Sequence, residues 1–171
     1  MDCPVLPDLE FSEWGGILLA KLKGQRVPLG GIFELTERCN MKCLHCYINQ
    51  PAGSRIEQSA ELSTAEVKAL IDQMADAGCL FLTLTGGEVL LRSDFSEIYV
   101  HAKQRGMLIS LFTNGTLITP QIADLLADVR PFSIEITLYG ATAETYEKVT
   151  QNPGSYARCR AGIDLLLARK L

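Results

Sequence analysis

Four short runs of strand character, at 31–36, 80–85, 108–112 and 133–139, alternate with stretches whose apolar residues recur at helical spacing. At about 24 to 28 residues per unit, this alternation restricts the chain to right-handed βαβ units on a parallel sheet. The helices carry their own signals. Ser63 with Glu66 three residues on is a capping box, opening a helix with Val67, Leu70, Ile71 and Met74 on its buried stripe and Gly78 as its stop. Ser93 is placed to cap the next, with Phe95, Ile98, Tyr99 and Ala102 turned inward, and Thr119–Pro120 opens a third with Ile122, Leu125, Leu126 and Val129. Helical segments at 142–149 and 155–170 finish the chain. Ahead of the first strand, 11–23 places Trp14, Ile17, Leu18 and Leu22 on one stripe, expected to be core, and 50–61 reads as a polar connector.

The two faces of the strands differ. One alternate set is apolar (Phe33 and Leu35; Leu82 and Leu84; Ile109 and Leu111; Ile134, Ile136 and Leu138), and the other is largely polar (Glu34 and Thr36; Thr83 and Thr85; Ser110 and Asn114; Ser133, Glu135 and Thr137). A closed barrel fills its centre with aliphatic side chains, and a buried parallel strand is apolar on both faces. A consistent polar face predicts instead a curved sheet whose inside lines a cavity for a polar ligand; a sheet with one face simply wet is the alternative. Ligands of α/β folds sit at the carboxyl ends of strands. The segment 39–47, Gly86-Gly87-Glu88, Thr113-Asn114-Gly115 and Tyr139-Gly140 all fall at such ends.

Within 39–47, Cys39, Cys43 and Cys46 follow CxxxCxxC spacing. Three thiolates on a compact loop can ligate three irons of a [4Fe-4S] cube, and nothing adjacent supplies a fourth ligand, which leaves one iron open to a small molecule. Structural zinc more often uses two CxxC pairs, and three unligated core thiols fit poorly beside Arg38, Asn40, Lys42 and His45; both remain as alternatives. Gly86 and Gly87 let a ligand approach the backbone, and the carboxylate of Glu88 can pair with an ammonium group.

CxxxCxxC after a first strand, His45 just before the third cysteine, and Gly86-Gly87-Glu88 one unit later together resemble the radical S-adenosylmethionine superfamily. The Ile136-Thr-Leu-Tyr-Gly140 stretch is most similar to its peptide- and protein-maturing branch, which often carries a C-terminal SPASM extension. The resemblance runs from 32 to about 160 and implies an α/β fold that is part of a TIM-like (β/α) barrel, with a [4Fe-4S] cluster on Cys39, Cys43 and Cys46 and the fourth iron chelated by S-adenosylmethionine. It places His45 beside the adenine, the Gly86, Gly87 and Glu88 loop at the methionine amino group, Thr137 near the ribose or carboxylate, and Tyr47 and Asn114 in the same cofactor site. A low-potential donor of flavodoxin or ferredoxin type would supply an electron, and a 5'-deoxyadenosyl radical would take hydrogen from a substrate, expected to be a peptide or protein. Glu34 and Glu135, facing the cavity, are candidates for substrate binding or proton movement; carboxylates merely hydrogen-bonded within a polar lumen are the alternative.

The pattern also departs from the family. Val89 stands where proline commonly follows the loop, and near Thr150, where some relatives place an arginine for the cofactor carboxylate, the candidates here are Lys148 and Arg158. Family barrels have about six βα units and about four are counted here, so the chain is expected to divide into a flanking segment, 1–30, and a truncated core, 31–171. A cluster-binding module without chemistry is therefore the competing reading, with a zinc-binding structural domain third. Cys3 is isolated, and Cys79 and Cys159 read as core thiols.

The 171 residues are 47% hydrophobic and 21% charged, with net charge -4, enough for one domain with a core. No basic face for nucleic acid is expected. No apolar run approaches the roughly 20 residues of a membrane span, and the start, Met-Asp-Cys-Pro, lacks the order of a signal peptide. Six cysteines, three clustered and three dispersed, are not a secreted disulfide framework, so the expected compartment is the cytoplasm.

Overall fold

A computed structural model describes residues 10–48 and 50–171; Cys3 lies outside the described residues. The chain opens with α1 (Phe11–Lys21), β1 (Gly30–Glu34), the two-residue strands β2 (Arg38–Cys39) and β3 (Gln50–Pro51), and α2 (Arg55–Ala60). Three βα units follow: α3 (Thr64–Asp76) to β4 (Phe81–Thr85), α4 (Phe95–Gln104) to β5 (Leu108–Thr113), and α5 (Pro120–Asp128) to β6 (Ser133–Ile136), before α6 (Ala143–Thr150) and α7 (Ser155–Leu167). The main sheet is parallel, in the order β1-β4-β5-β6. Strands added in sequence order without reversal form a stretch of barrel wall, whereas a doubly wound sheet reverses direction midway.

The apolar strand face is the covered one. Leu82, Leu84, Ile109 and Leu111 are fully buried against Val67 and Ile71 of α3, Phe95, Ile98, Tyr99 and Ala102 of α4, and Ala123 and Leu126 of α5. Each such large side chain stabilises the fold by about 1.5–3 kcal/mol relative to exposure. The capping box at Ser63 and Glu66, and Thr119 accepting from the Ile122 N–H with Pro120 beside it, form as the sequence predicts. Gly78, at φ 96°, ends α3 where a side chain would be strained.

Several expectations need correcting. No residue of α1 is buried; its rings instead lie across the amino-terminal mouth of the strands, Trp14 against Phe81 with centroids 6.2 Å apart and Phe11 against Phe132 at 5.6 Å. Leu70 is exposed, because α3 buries a narrower stripe than its spacing allows. Segment 50–61 holds α2, capped by Ser54, and the β2–β3 bridge. Asp94, not Ser93, precedes α4, and its carboxylate is taken by Arg92 and Thr64. The fourth strand of the main sheet ends at Ile136 rather than Tyr139, since the chain turns there to carry Tyr139 against Tyr146 and His45. Among the described residues no helix is long and apolar enough to cross a membrane.

Candidate functional site

The cysteine loop is gripped from both sides. The N–H groups of Lys42 and Leu44 donate to the carbonyls of Thr150 and Val149, which the end of α6 leaves without helical partners, and Asn152 donates to the Asn40 carbonyl. Met41 is buried beneath the loop with Tyr146 and Cys159. On the other side Arg38 donates Nε to one oxygen of Glu61 at 2.7 Å and a terminal nitrogen to the other at 3.1 Å, while Thr36 also donates to Glu61. Arg92 stands 3.8 Å from Glu61 and donates to the Leu35 and Leu62 carbonyls. Burial opposes ionisation of Glu61, but the hydrogen bonds from Arg38 and Thr36 and the charge of Arg92 hold its pKa below the usual carboxylate range.

The diglycine is there for the same loop. At Gly86, φ is 137°, and a Cβ would lie 2.2 Å from the Thr36 carbonyl oxygen; at Gly87 it would lie 2.3 Å from that of Arg38. Both approaches are bonded, Gly87 N–H to Thr36 at 2.7 Å and Glu88 N–H to Arg38 at 2.9 Å. What lies close to this backbone is therefore the lead-in to the cysteine loop.

Glu88 lies behind the cleft-facing loop. It is only 1% exposed, and its carboxylate accepts from the Thr113 hydroxyl at 2.7 Å, the Asn114 N–H at 2.7 Å and the Leu90 N–H at 3.1 Å. Burial raises its pKa while these bonds oppose the rise. The side chain braces the end of β4 against the end of β5 behind the site.

In front of this frame lies a cleft of about 460 Å³ lined by Cys39, Cys43, Cys46, His45 and Tyr47, by Gly86 and Gly87, and by Asn114, Glu135 and Thr137. The structure therefore brings together all the expected site residues except Glu34 and Glu88. Glu34 is one step aside, accepting from the Tyr47 hydroxyl at 2.7 Å, a bond that raises the Tyr47 pKa. Neither Lys148 nor Arg158 lines the cleft; Arg158 instead donates to Asn152. Four further lining residues, Met41, Phe112, Ile136 and Tyr139, give the cleft an apolar wall. Phe112 had a visible signal, as the one apolar residue on the inward face near the carboxyl end of its strand; Tyr139 had only its place before Gly140.

The cleft fits both implied groups. Its volume falls within the range of ligand pockets, roughly 300–1,000 Å³. Burial raises the Cys39 pKa, and for Cys43 burial and then the neighbouring Cys46 do so; metal binding at these thiols must release protons. Asn114 directs its amide toward the Cys39 sulfur at 3.7 Å, and Tyr139 is a hydrogen-bond partner of Cys43, contacts of the kind that tune iron-sulfur clusters. Among the described residues no three His, Cys, Asp or Glu side chains converge on a point that one metal ion could occupy. A cube differs in this respect, since it takes each thiolate at a different iron.

The profile of the Radical SAM superfamily matches residues 33–171. The chain belongs to the radical SAM superfamily. This family binds a [4Fe-4S] cluster and S-adenosylmethionine. Among curated radical SAM relatives, the chain is 38% identical over 134 residues to an AdoMet-dependent heme synthase of Methanosarcina barkeri, covering 78% of this chain and 38% of that one. It is 34% identical over 134 residues to mycofactocin maturase MftC of Mycobacterium tuberculosis, covering 78% and 33%. The chain thus spans little more than a third of the length of these relatives. Among solved structures, Streptococcus suis SuiB bound to its precursor peptide SuiA superposes with a TM-score of 0.67 at 15% identity, over 96% of this chain and 38% of that one. That neighbour supports the barrel-wall architecture.

Proposed function

We propose that the chain is the cluster- and cofactor-binding part of a radical SAM enzyme that matures a peptide, protein or cofactor, working in the cytoplasm. The observation that carries this reading is the meeting, around one cleft, of the three cysteines, the Gly86–Gly87 backbone and Asn114. Held together there and reduced by one electron, the two cofactors would supply the means of hydrogen-atom abstraction from a substrate. A flavodoxin- or ferredoxin-type protein serves as the electron donor.

The chain's own tasks are to hold, orient and shield. Cys39, Cys43 and Cys46 hold the cluster on a loop fixed by Arg38, Glu61 and α6. Gly86 and Gly87 would hold the methionine amino group through backbone polar groups, while Glu88 fixes their position from behind. His45, Tyr47, Thr137 and the apolar wall of Ile136 and Tyr139 would receive the nucleoside and exclude water. Residues 31–171 form the core domain and 1–30 its flanking segment, a division supported by a family match that begins at residue 33. The relatives' names, a synthase and a maturase, favour an enzyme over a cluster-binding module without chemistry. Anaerobic incubation of the reconstituted chain with dithionite and S-adenosylmethionine tests the reading. It predicts 5'-deoxyadenosine and methionine in equal amounts, and none from Cys43→Ala; intact cofactor after full cluster reduction would overturn it.

A further inference from the structure

Parallel pairing aligns the inward side chains of the four main strands into lateral rows. Glu34 pairs with Thr85 and Phe112 with Glu135, while the Leu84–Leu111 pair puts Thr85 and Phe112 next to one another one residue further on. The upper row therefore runs Glu34, Thr85, Phe112, Glu135. The row beneath it runs Ile32, Thr83, Ser110, Ser133.

These rows are open to solvent, with Ile32 74% and Phe112 46% exposed and both carboxylates exposed as well. The described residues of the four strands carry two acids, Glu34 and Glu135, and no Lys or Arg. No ion pair among the described residues reaches either acid; Glu34 has the Tyr47 hydroxyl as its partner. Uncompensated carboxylates beside large exposed apolar groups disfavour an anion and favour a ligand that is both basic and apolar. The span matters too. Three inter-strand steps of roughly 4.8 Å put the acids about 14 Å apart across the sheet. An extended peptide covers that in about four residues at 3.3–3.6 Å each, whereas a small amine reaches one acid only.

We propose that this inner face binds a basic, apolar segment of a peptide substrate, a Lys or Arg side chain at Glu34 or Glu135 with an aromatic or aliphatic side chain on Phe112 and Ile32. It discriminates against polycarboxylates. The proposal rests on the reading of the cleft as the cofactor site and deepens it.

The test titrates the cluster-loaded chain, saturated with S-adenosylmethionine, with two coumarin-labelled peptides, acetyl-Lys-Phe-Ala-Lys-amide and its Glu-Phe-Ala-Glu counterpart, by fluorescence anisotropy. The Lys peptide should bind at least about tenfold more tightly, a difference of about 1.4 kcal/mol. The preference should shrink in high salt and fall below about threefold in the Glu34→Gln/Glu135→Gln double variant. Equal binding of the two peptides, no measurable binding of either, or a preference that survives both substitutions would each overturn the proposal. The cofactor reading is judged separately, by the change that S-adenosylmethionine makes in the cluster's electron paramagnetic resonance without peptide, so the two can fail independently.

Discussion

Replacing Gly86 by alanine isolates the contact that ties the diglycine to the cysteine loop. The added Cβ meets the Thr36 carbonyl oxygen at 2.2 Å in a backbone with φ of 137°, so the loop must move. Left-handed strain costs about 1–2 kcal/mol. The displacement also breaks or lengthens the Gly87–Thr36 and Glu88–Arg38 bonds, at about 1 kcal/mol each. The expected loss is about 3–4 kcal/mol. Gly106→Ala is the control, since φ there is 80° but nothing lies within 4 Å of the Cβ; it should cost only the strain, about 1–2 kcal/mol. Urea unfolding of the two variants measures the difference, and iron retained after reconstitution should fall in Gly86→Ala alone. If the two variants lost equal stability and kept equal iron, the close approach would not be what requires glycine.

Glu61→Gln leaves Arg38 and Arg92 without the carboxylate between them, at a cost of about 3–5 kcal/mol; unfolding midpoints and reduced iron content per chain check it. Asp94, held at about pH 2 chiefly by Arg92 against an ordinary value of 3.8, gives stability that is complete above pH 4 and is lost as pH falls toward 2. With an exposed edge discounted, that is about 1–2 kcal/mol, and Asp94→Asn should flatten the acid limb of a stability profile. The Tyr146 hydroxyl is buried against the Cys159 thiol, a weak hydrogen-bonding group, so Tyr146→Phe should change stability by no more than about 1 kcal/mol in the same assay.

What was legible in the sequence was local. The capping box at Ser63, the proline start of α5, the stop at Gly78 and the inward stripe of α4 depend on neighbours a few residues away, and they form as read. Cys39, Cys43 and Cys46 were visible because their chemistry lies in their spacing. Long-range pairings were not. Glu61 meets Arg38 across 23 residues, and Glu88 is turned inward by donors from Thr113 and Asn114; neither partner can be inferred from the residue's own neighbourhood. Helix α2 escaped notice because six residues in a polar run carry too little periodicity. The Trp14 stripe was real as a helix but faces the mouth of the sheet, a placement that depends on Phe81 and Phe132 rather than on α1 itself.

The central claim is that three cysteines hold a cluster with one iron open to S-adenosylmethionine. Anaerobic reconstitution, dithionite reduction and electron paramagnetic resonance with and without the cofactor test it most directly. The account predicts a reduced [4Fe-4S] signal whose shape changes when S-adenosylmethionine is added, and no such signal from Cys39→Ala. A cluster signal indifferent to the cofactor, or zinc bound in place of iron and sulfide, would contradict it.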